Sequence, residues 1–132
     1  MKVYVAGLYV QRKSSDPHAV LTTEGPKRIV MHFLHGVSKR QMVDAFHESF
    51  RNNADASKTM KSQVDQLLGA LEPVNNRDEM VFTCVPGTGV TFSVNGKGKL
   101  TIDDPAFAPV LFSLWLGPKP LSPDLKKGML GR

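Results

Sequence analysis

The four histidines, His18, His32, His35 and His47, are the side chains best suited to hold a metal, and their spacing argues against it. No pair has the HxxxH spacing that sets two imidazoles on one helix face. His32 and His35 fall three apart on or just after an extended stretch, which points them to opposite faces. No metal site is expected. The single cysteine, Cys84, excludes an intrachain disulfide and any multi-cysteine metal site. It stands in an apolar run with no His or Lys close by in sequence, so it reads as a buried thiol rather than a nucleophile. Pro86-Gly87-Thr88-Gly89 is glycine-rich but lacks the GK[ST] ending of a phosphate loop and runs into a strand, so it reads as a hairpin connection. The acidic residues offer no pair that nominates a general acid and base. No hydroxyl sits in a G-x-S-x-G setting. Taken alone, these residues point to no enzyme, and no cofactor is expected.

The elements that would position these groups follow from periodicity. Segment 2–10 is rich in Val and Tyr and almost free of charge, as in a buried strand. Ser14-Ser15-Asp16-Pro17 signals a turn, and Val20-Leu21 a short strand closed by Glu24-Gly25-Pro26. Segment 27–34 reads as a second long strand. Ser38 and Gln41 have capping-box spacing, which predicts a helix over 38–52 with an apolar stripe of Val43, Phe46 and Phe50, and Met42 beside it. A second helix is expected over 56–72, with Met60, Val64, Leu67, Leu68 and Leu71 on one face and Pro73 as its stop. The period then changes to two. Strands are expected at 79–85, 90–94 and 99–102, the last two joined by Asn95-Gly96, a dipeptide suited to a two-residue hairpin turn. Asp104-Pro105 is expected to open a third helix, with Asp as N-cap and Pro at the first helical position. Its body, Phe107 to Leu116, is apolar nearly all round and therefore buried on more than one side. Ser122-Pro123-Asp124 starts a last short helix, closed near Gly128 or Gly131. The order implies an α+β fold, an antiparallel sheet with helices packed on it.

Length and composition bound the reading. The chain has 132 residues, 41% of them hydrophobic and 22% charged, with a net charge of +5. That balance suits one globular domain and excludes general disorder. No window approaches 18 consecutive apolar residues, so no transmembrane segment is expected. The basic residues are dispersed among acidic ones, as at Asp44 and Glu48 beside Lys39, Arg40 and Arg51. They read as a solvated mixed surface, not a nucleic-acid footprint. A weak attraction for anionic ligands is compatible with the excess charge.

Three stretches carry a resemblance when taken in order. They are Lys2-Val3-Tyr4-Val5-Ala6-Gly7-Leu8-Tyr9, then Gly25-Pro26-Lys27-Arg28-Ile29-Val30-Met31, and the tail Leu114–Pro120 with Leu125–Gly131. The turn at Val94–Lys97 and the helix entry at Asp104–Phe107 fit as well. Over essentially its whole length the chain resembles the bacterial chalcone isomerase-like domain. The resemblance implies an open-faced β-sandwich, an antiparallel sheet with helices on one face and a ligand cleft between sheet and helices. Plant chalcone isomerases close a flavanone ring there by intramolecular addition of a phenolate. Related members without that activity bind fatty acids or act as non-catalytic partners.

The resemblance also places the plant enzymes' catalytic positions on this chain, mostly as mismatches. Their threonine on the first matched strand is Tyr4 here. The tyrosine that opens their first cleft helix corresponds to Ser38, and an asparagine two turns on to Ala45. A Ser or Thr three residues before the late glycine corresponds to Leu114. A cleft lysine is matched by Lys27. The arginine that holds the substrate phenolate belongs on a strand before Lys2. Ring closure needs a cation for the phenolate and hydroxyl donors for the enone carbonyl, and Ala45 and Leu114 can donate nothing.

The expectation is therefore a non-catalytic member that binds an apolar or planar anionic ligand, fatty acid-like or haem-like, with no catalytic residues. Tyr4, Lys27, Ser38, Met42, Phe46, Leu114 and Trp115 are its cleft candidates. An intramolecular lyase and a ligand-free interaction module are the alternatives. Residues 1–132 are expected to form one domain lacking the family's first strand. That would leave the edge of segment 2–10 open to dimerisation with a second copy. As the sequence stands the location is cytoplasmic, and it becomes periplasmic if a signal peptide precedes Met1.

Overall fold

Alternation of apolar and polar residues builds the sheet. The computed structural model describes residues 3–22, 25–53 and 58–131. Its strands are β1 (Tyr4–Val10), β2 (Lys27–Phe33), β3 (Glu79–Val85), β4 (Gly89–Val94) and β5 (Lys97–Ile102). They pair in chain order, every neighbour antiparallel. On β2, Lys27, Ile29, Met31 and Phe33 point inward and are buried, while Arg28 and His32 face out. Met80, Phe82 and Cys84 continue the inner face on β3, and Val90, Phe92 and Val94 on β4. The helices cover that face.

Among the described residues five helices lie between and after the strands: α1 (Pro17–Thr22), α2 (Lys39–Asn53), α3 (Lys61–Ala70), α4 (Phe107–Leu116) and α5 (Pro123–Met129). The capping box of α2 forms in both directions. Gln41 N–H donates to Ser38 Oγ at 3.1 Å, and Ser38 N–H donates to Gln41 Oε1 at 3.0 Å. Met42, Phe46 and Phe50 form its buried stripe, while Val43 is only half-buried. Val64 and Leu67 anchor α3. It is shorter than the expected 56–72, since residues 58–60 form turns before it and Leu71 caps its end; residues 56–57 lie outside the described residues, as does Lys2 of the first strand. Every residue of α4 except Pro109 is buried, as its all-round apolar character requires. Ser122 caps α5 by accepting from Leu125 N–H at 3.3 Å, with Pro123 in its first turn.

The turns follow the expected chemistry. Asn95 and Gly96 take φ of 51° and 79°, the two positive values that a two-residue hairpin loop needs. The Asn95 side chain also ties the turn to β3, accepting from Glu79 N–H at 2.9 Å. Pro86–Thr88 connect β3 to β4, with Thr88 N–H donating to Val85 C=O at 3.0 Å.

Two expectations are corrected. Val20-Leu21 is not a strand but part of α1. Asp16 starts that helix, its carboxylate accepting from His18 N–H at 3.0 Å and its carbonyl from Val20 N–H at 3.2 Å. At the second Asp-Pro pair the outcome is reversed. Asp104 accepts from Ala106 N–H at 3.0 Å, but 105–106 form a turn and α4 begins at Phe107. There the aspartate organises the approach to the helix instead of capping it.

Among the described residues β1 pairs only with β2, so it stands at the sheet edge. None of the described helices is long and apolar enough to cross a membrane.

Candidate functional site

The inner face of the sheet meets α2 and the segment after α4 around a cavity of about 440 Å³. Its lining includes Tyr4, Met42 and Phe46, three of the seven candidates, together with Phe33, His35 and Leu121. The register explains the grouping. Tyr4 pairs with Phe33 across β1 and β2, and their rings lie 5.7 Å apart. The stripe of α2 brings Met42 and Phe46 down onto them. Among the described residues the lining is mostly apolar and includes neither lysine nor arginine.

One feature of this region is not ordinary packing. Tyr4 Oη and Trp115 Nε1 are both shielded from solvent, and neither closes a hydrogen bond. Burial raises the Tyr4 phenol above its ordinary value, and the neighbouring Trp115 indole acts in the opposite direction. Trp115 is fixed from both sides, edge-on to Phe46 at 6.0 Å and tilted against Phe82 at 5.4 Å. A buried polar group without a partner costs about 1–3 kcal/mol. Tyr4→Phe is therefore expected to raise the stability of the unliganded protein by about 1 kcal/mol in urea unfolding. A loss of that size instead would mean that the hydroxyl has a partner.

The other candidates lie elsewhere. Ser38 is exposed and spends its hydroxyl on the α2 cap. Leu114 is fully buried inside α4 and does not line the cavity. Lys27, at 3% exposed, is at the opposite end of β2 from Phe33, roughly 20 Å away along the strand. Its ammonium donates to Val20 C=O at 3.0 Å and Leu21 C=O at 3.2 Å, closing the last turn of α1. Phe112 sits beneath it, 5.8 Å from the amine to the ring centroid. Burial lowers the Lys27 pKa, opposed by its cross-strand neighbour Cys84. Burial also raises the Cys84 thiol, with Lys27 opposing. These two line a separate cavity of about 580 Å³ between the β3–β4 turn, α1 and the start of α4.

His32 and His35 do face opposite ways, as their spacing requires. His32 pairs with Glu79 on the outer face at 3.3 Å, whereas His35 lines the Tyr4 cavity. In the sequence His35 stands out only as a possible metal ligand, and nothing in its neighbours marks it as a cavity residue. Nothing in the sequence around Leu121 marks it as a cavity residue either. It is brought in by the bend after α4, where its N–H donates to Leu114 C=O at 2.8 Å. Among the described residues no group of three or more His, Cys, Asp or Glu is placed to hold a metal ion.

The sheet with helices on one face and a cavity between them can now be set beside known proteins. The sequence model of the chalcone isomerase-like family matches residues 1–131. The chain belongs to the chalcone isomerase-like family. Among solved structures, this chalcone isomerase-like protein is similar to a fatty-acid binding protein of Arabidopsis thaliana. The TM-score is 0.74 at 14% sequence identity, over 97% of this chain and 76% of the plant chain. That likeness establishes a shared fold. No curated protein matches the chain at the sequence level.

Proposed function

We propose that this chalcone isomerase-like protein is a non-catalytic binder of a small apolar ligand, held in the cavity formed by β1, β2 and α2. The observation that carries this reading is an apolar cavity between the sheet and α2, in whose wall Tyr4 keeps its hydroxyl buried. A volume of about 440 Å³ falls within the range of roughly 300–1,000 Å³ typical of small-molecule sites. The plant neighbour's description as a fatty-acid binding protein supports the same reading.

The lining supports binding rather than ring closure. Ala45 stands at the cavity where the plant enzymes have an asparagine, and it offers no side-chain donor. Lys27, the matched cleft lysine, is held on α1 at the other end of β2. An apolar chain suits the Tyr4 cavity better than an anion, because among the described residues its lining is mostly apolar and includes neither lysine nor arginine.

The test uses delipidated full-length protein offered fatty acids and haem in separate titrations. Saturable one-to-one binding of an apolar ligand is expected. Ala45 is exposed at the cavity rim, so Ala45→Trp should block entry without disturbing the core and weaken binding at least tenfold. Absence of saturable binding, or an affinity unchanged in Ala45→Trp, would sink the assignment to this cavity.

A further inference from the structure

The helices pack on the inner face of the sheet, and the apolar surface that the described residues leave exposed gathers on the outer face. The exposed large apolar side chains are Val3, Val5, Tyr9, Leu34 and Val85. Val5, Tyr9 and Val85 point outward by strand alternation. Val3 and Leu34 extend β1 and β2 by one residue, tied by Leu34 N–H donating to Val3 C=O at 2.8 Å. The register sets a row of Gly7, Val30 and Val81 at the centre of this face. Tyr9 folds its ring back over Gly7, where an added Cβ would sit 3.4 Å from it. The rows on either side carry charge. In one, Arg28 stands between Tyr9 and Thr83 and donates from Nε to Thr83 Oγ1 at 3.1 Å. In the other, His32 stands between Val5 and Glu79 and pairs with Glu79 at 3.3 Å. One end of the face is thus cationic, the other carries a carboxylate, and the middle is apolar.

That layout is self-complementary. A two-fold axis along the central row lays a second copy over the first with its strands antiparallel, at the shallow angle usual for stacked twisted sheets. Arg28 then faces the partner copy's Glu79 and His32, and Tyr9 faces the partner copy's Val5. The same contacts repeat on the other side of the axis, as an isologous interface requires. With strands parallel, both arginines would gather at one end and both carboxylates at the other. We infer that the outer face is a docking surface for a second copy of this chain, packed sheet to sheet across the Val30 row with Arg28 set against the partner copy's Glu79. Five strands at about 4.8 Å spacing and about 3.3 Å per residue give a face of about 24 by 20 Å, or roughly 1,000 Å² over both partners. That is the lower end for a specific interface, so half the chains should be paired at about 10 µM. Pairing along the β1 edge would join backbones and leave this apolar face in water. Sheet-to-sheet pairing leaves the ligand cavity, on the helix side, uncovered.

The test is sedimentation equilibrium of the full chain over about two decades of concentration around 10 µM, where a reversible monomer–dimer equilibrium is expected. Arg28→Glu and Glu79→Arg, each alone, should weaken pairing by about tenfold or more, because like charges then meet at both ends. An equimolar mixture of the two variants should pair as the wild type does, since every charge again meets its opposite across the axis. Within one chain, positions 28 and 79 lie in rows four residues apart, roughly 13 Å along the strand, so no intrachain contact accounts for that recovery. Val30→Glu should abolish pairing while circular dichroism shows the chain still folded. A monomer at every concentration would overturn the inference. So would a dimer indifferent to Arg28→Glu and Val30→Glu, which would place the contact elsewhere, or a mixture of the two charge variants that fails to pair.

Discussion

Gly89→Ala is expected to destabilise the protein by about 3 kcal/mol or more, while Gly87→Ala, two residues away in the same turn, costs only about 1–2 kcal/mol. Both glycines have positive φ, +76° at Gly87 and +147° at Gly89. They differ in what surrounds them. A Cβ on Gly87 would meet nothing within 4 Å, so alanine there carries only the conformational cost. A Cβ on Gly89 would fall 2.0 Å from Ile102 C=O and 2.8 Å from Asp104 N. Both are backbone atoms, so no rotamer change relieves the overlap. Relief requires β4 and the end of β5 to separate where Val90 pairs with Ile102. It also moves Asp104, whose carboxylate holds Ala106 N–H and accepts from Gln63 Nε2 at 2.8 Å. One methyl group would thus disturb the hairpin, the entry to α4 and a tie to α3. Urea unfolding of the two variants side by side separates the two causes. Equal losses would show that backbone conformation, not close approach, makes Gly89 necessary.

How much of this was legible in the sequence depends on how local the cause is. The α2 cap, the Asn95-Gly96 turn and the α5 start were all readable, because each is decided within four residues by side chain and backbone together. The β-strands were readable because a half-buried sheet imposes its period directly on the chain. The two Asp-Pro pairs show where locality fails. An aspartate before a proline offers the same carboxylate to the next amides in both places. At Asp16 a helix follows, because Val20 packs inward against α4 and the Lys27 ammonium closes the other end. At Asp104 the same motif yields a turn, and the helix waits for Phe107. A six-residue helix is too short to display a period, so its existence is settled by partners far away in sequence.

The site follows the same rule. Tyr4, Met42 and Phe46 meet because strand register and helix stripe deliver them, and both patterns are visible in the sequence. Lys27 carries the right chemistry at the wrong end of its strand. Its inward alternation was readable, but the identity of the element it caps was not, since that element was expected to be a strand. Trp115 could be placed in a buried helix, yet the orphaned state of its N–H depends on the position of a residue 111 positions earlier in the chain, and no local pattern encodes that.

Phe82→Ala is expected to cost about 3–5 kcal/mol, the range for removing a buried phenylalanine. It should also alter the ligand site without touching it. Phe82 is fully buried at the centre of β3, between Ile29 on β2 and Phe92 on β4. It stacks on Phe92 at 4.9 Å with 12° between the planes, and its ring also meets Phe46 at 6.0 Å and Trp115 at 5.4 Å. This one side chain therefore joins the sheet to α2 and α4. Truncation leaves a void bounded by rings that are themselves held by neighbours, so collapse is limited and the penalty falls toward the upper part of the range. Phe82→Leu keeps most of the volume and should lose less than about 1.5 kcal/mol. Because Trp115 is the only tryptophan in the chain, its fluorescence reports directly on the ring that Phe82 supports. In Phe82→Leu the protein should stay folded while the Trp115 emission shifts and affinity for an apolar ligand falls several-fold, since Phe46 and Trp115 both lose a wall. An unchanged spectrum and affinity in a folded Phe82→Leu would mean that α2 and α4 alone hold the indole, and that the sheet contributes only its surface to the cavity.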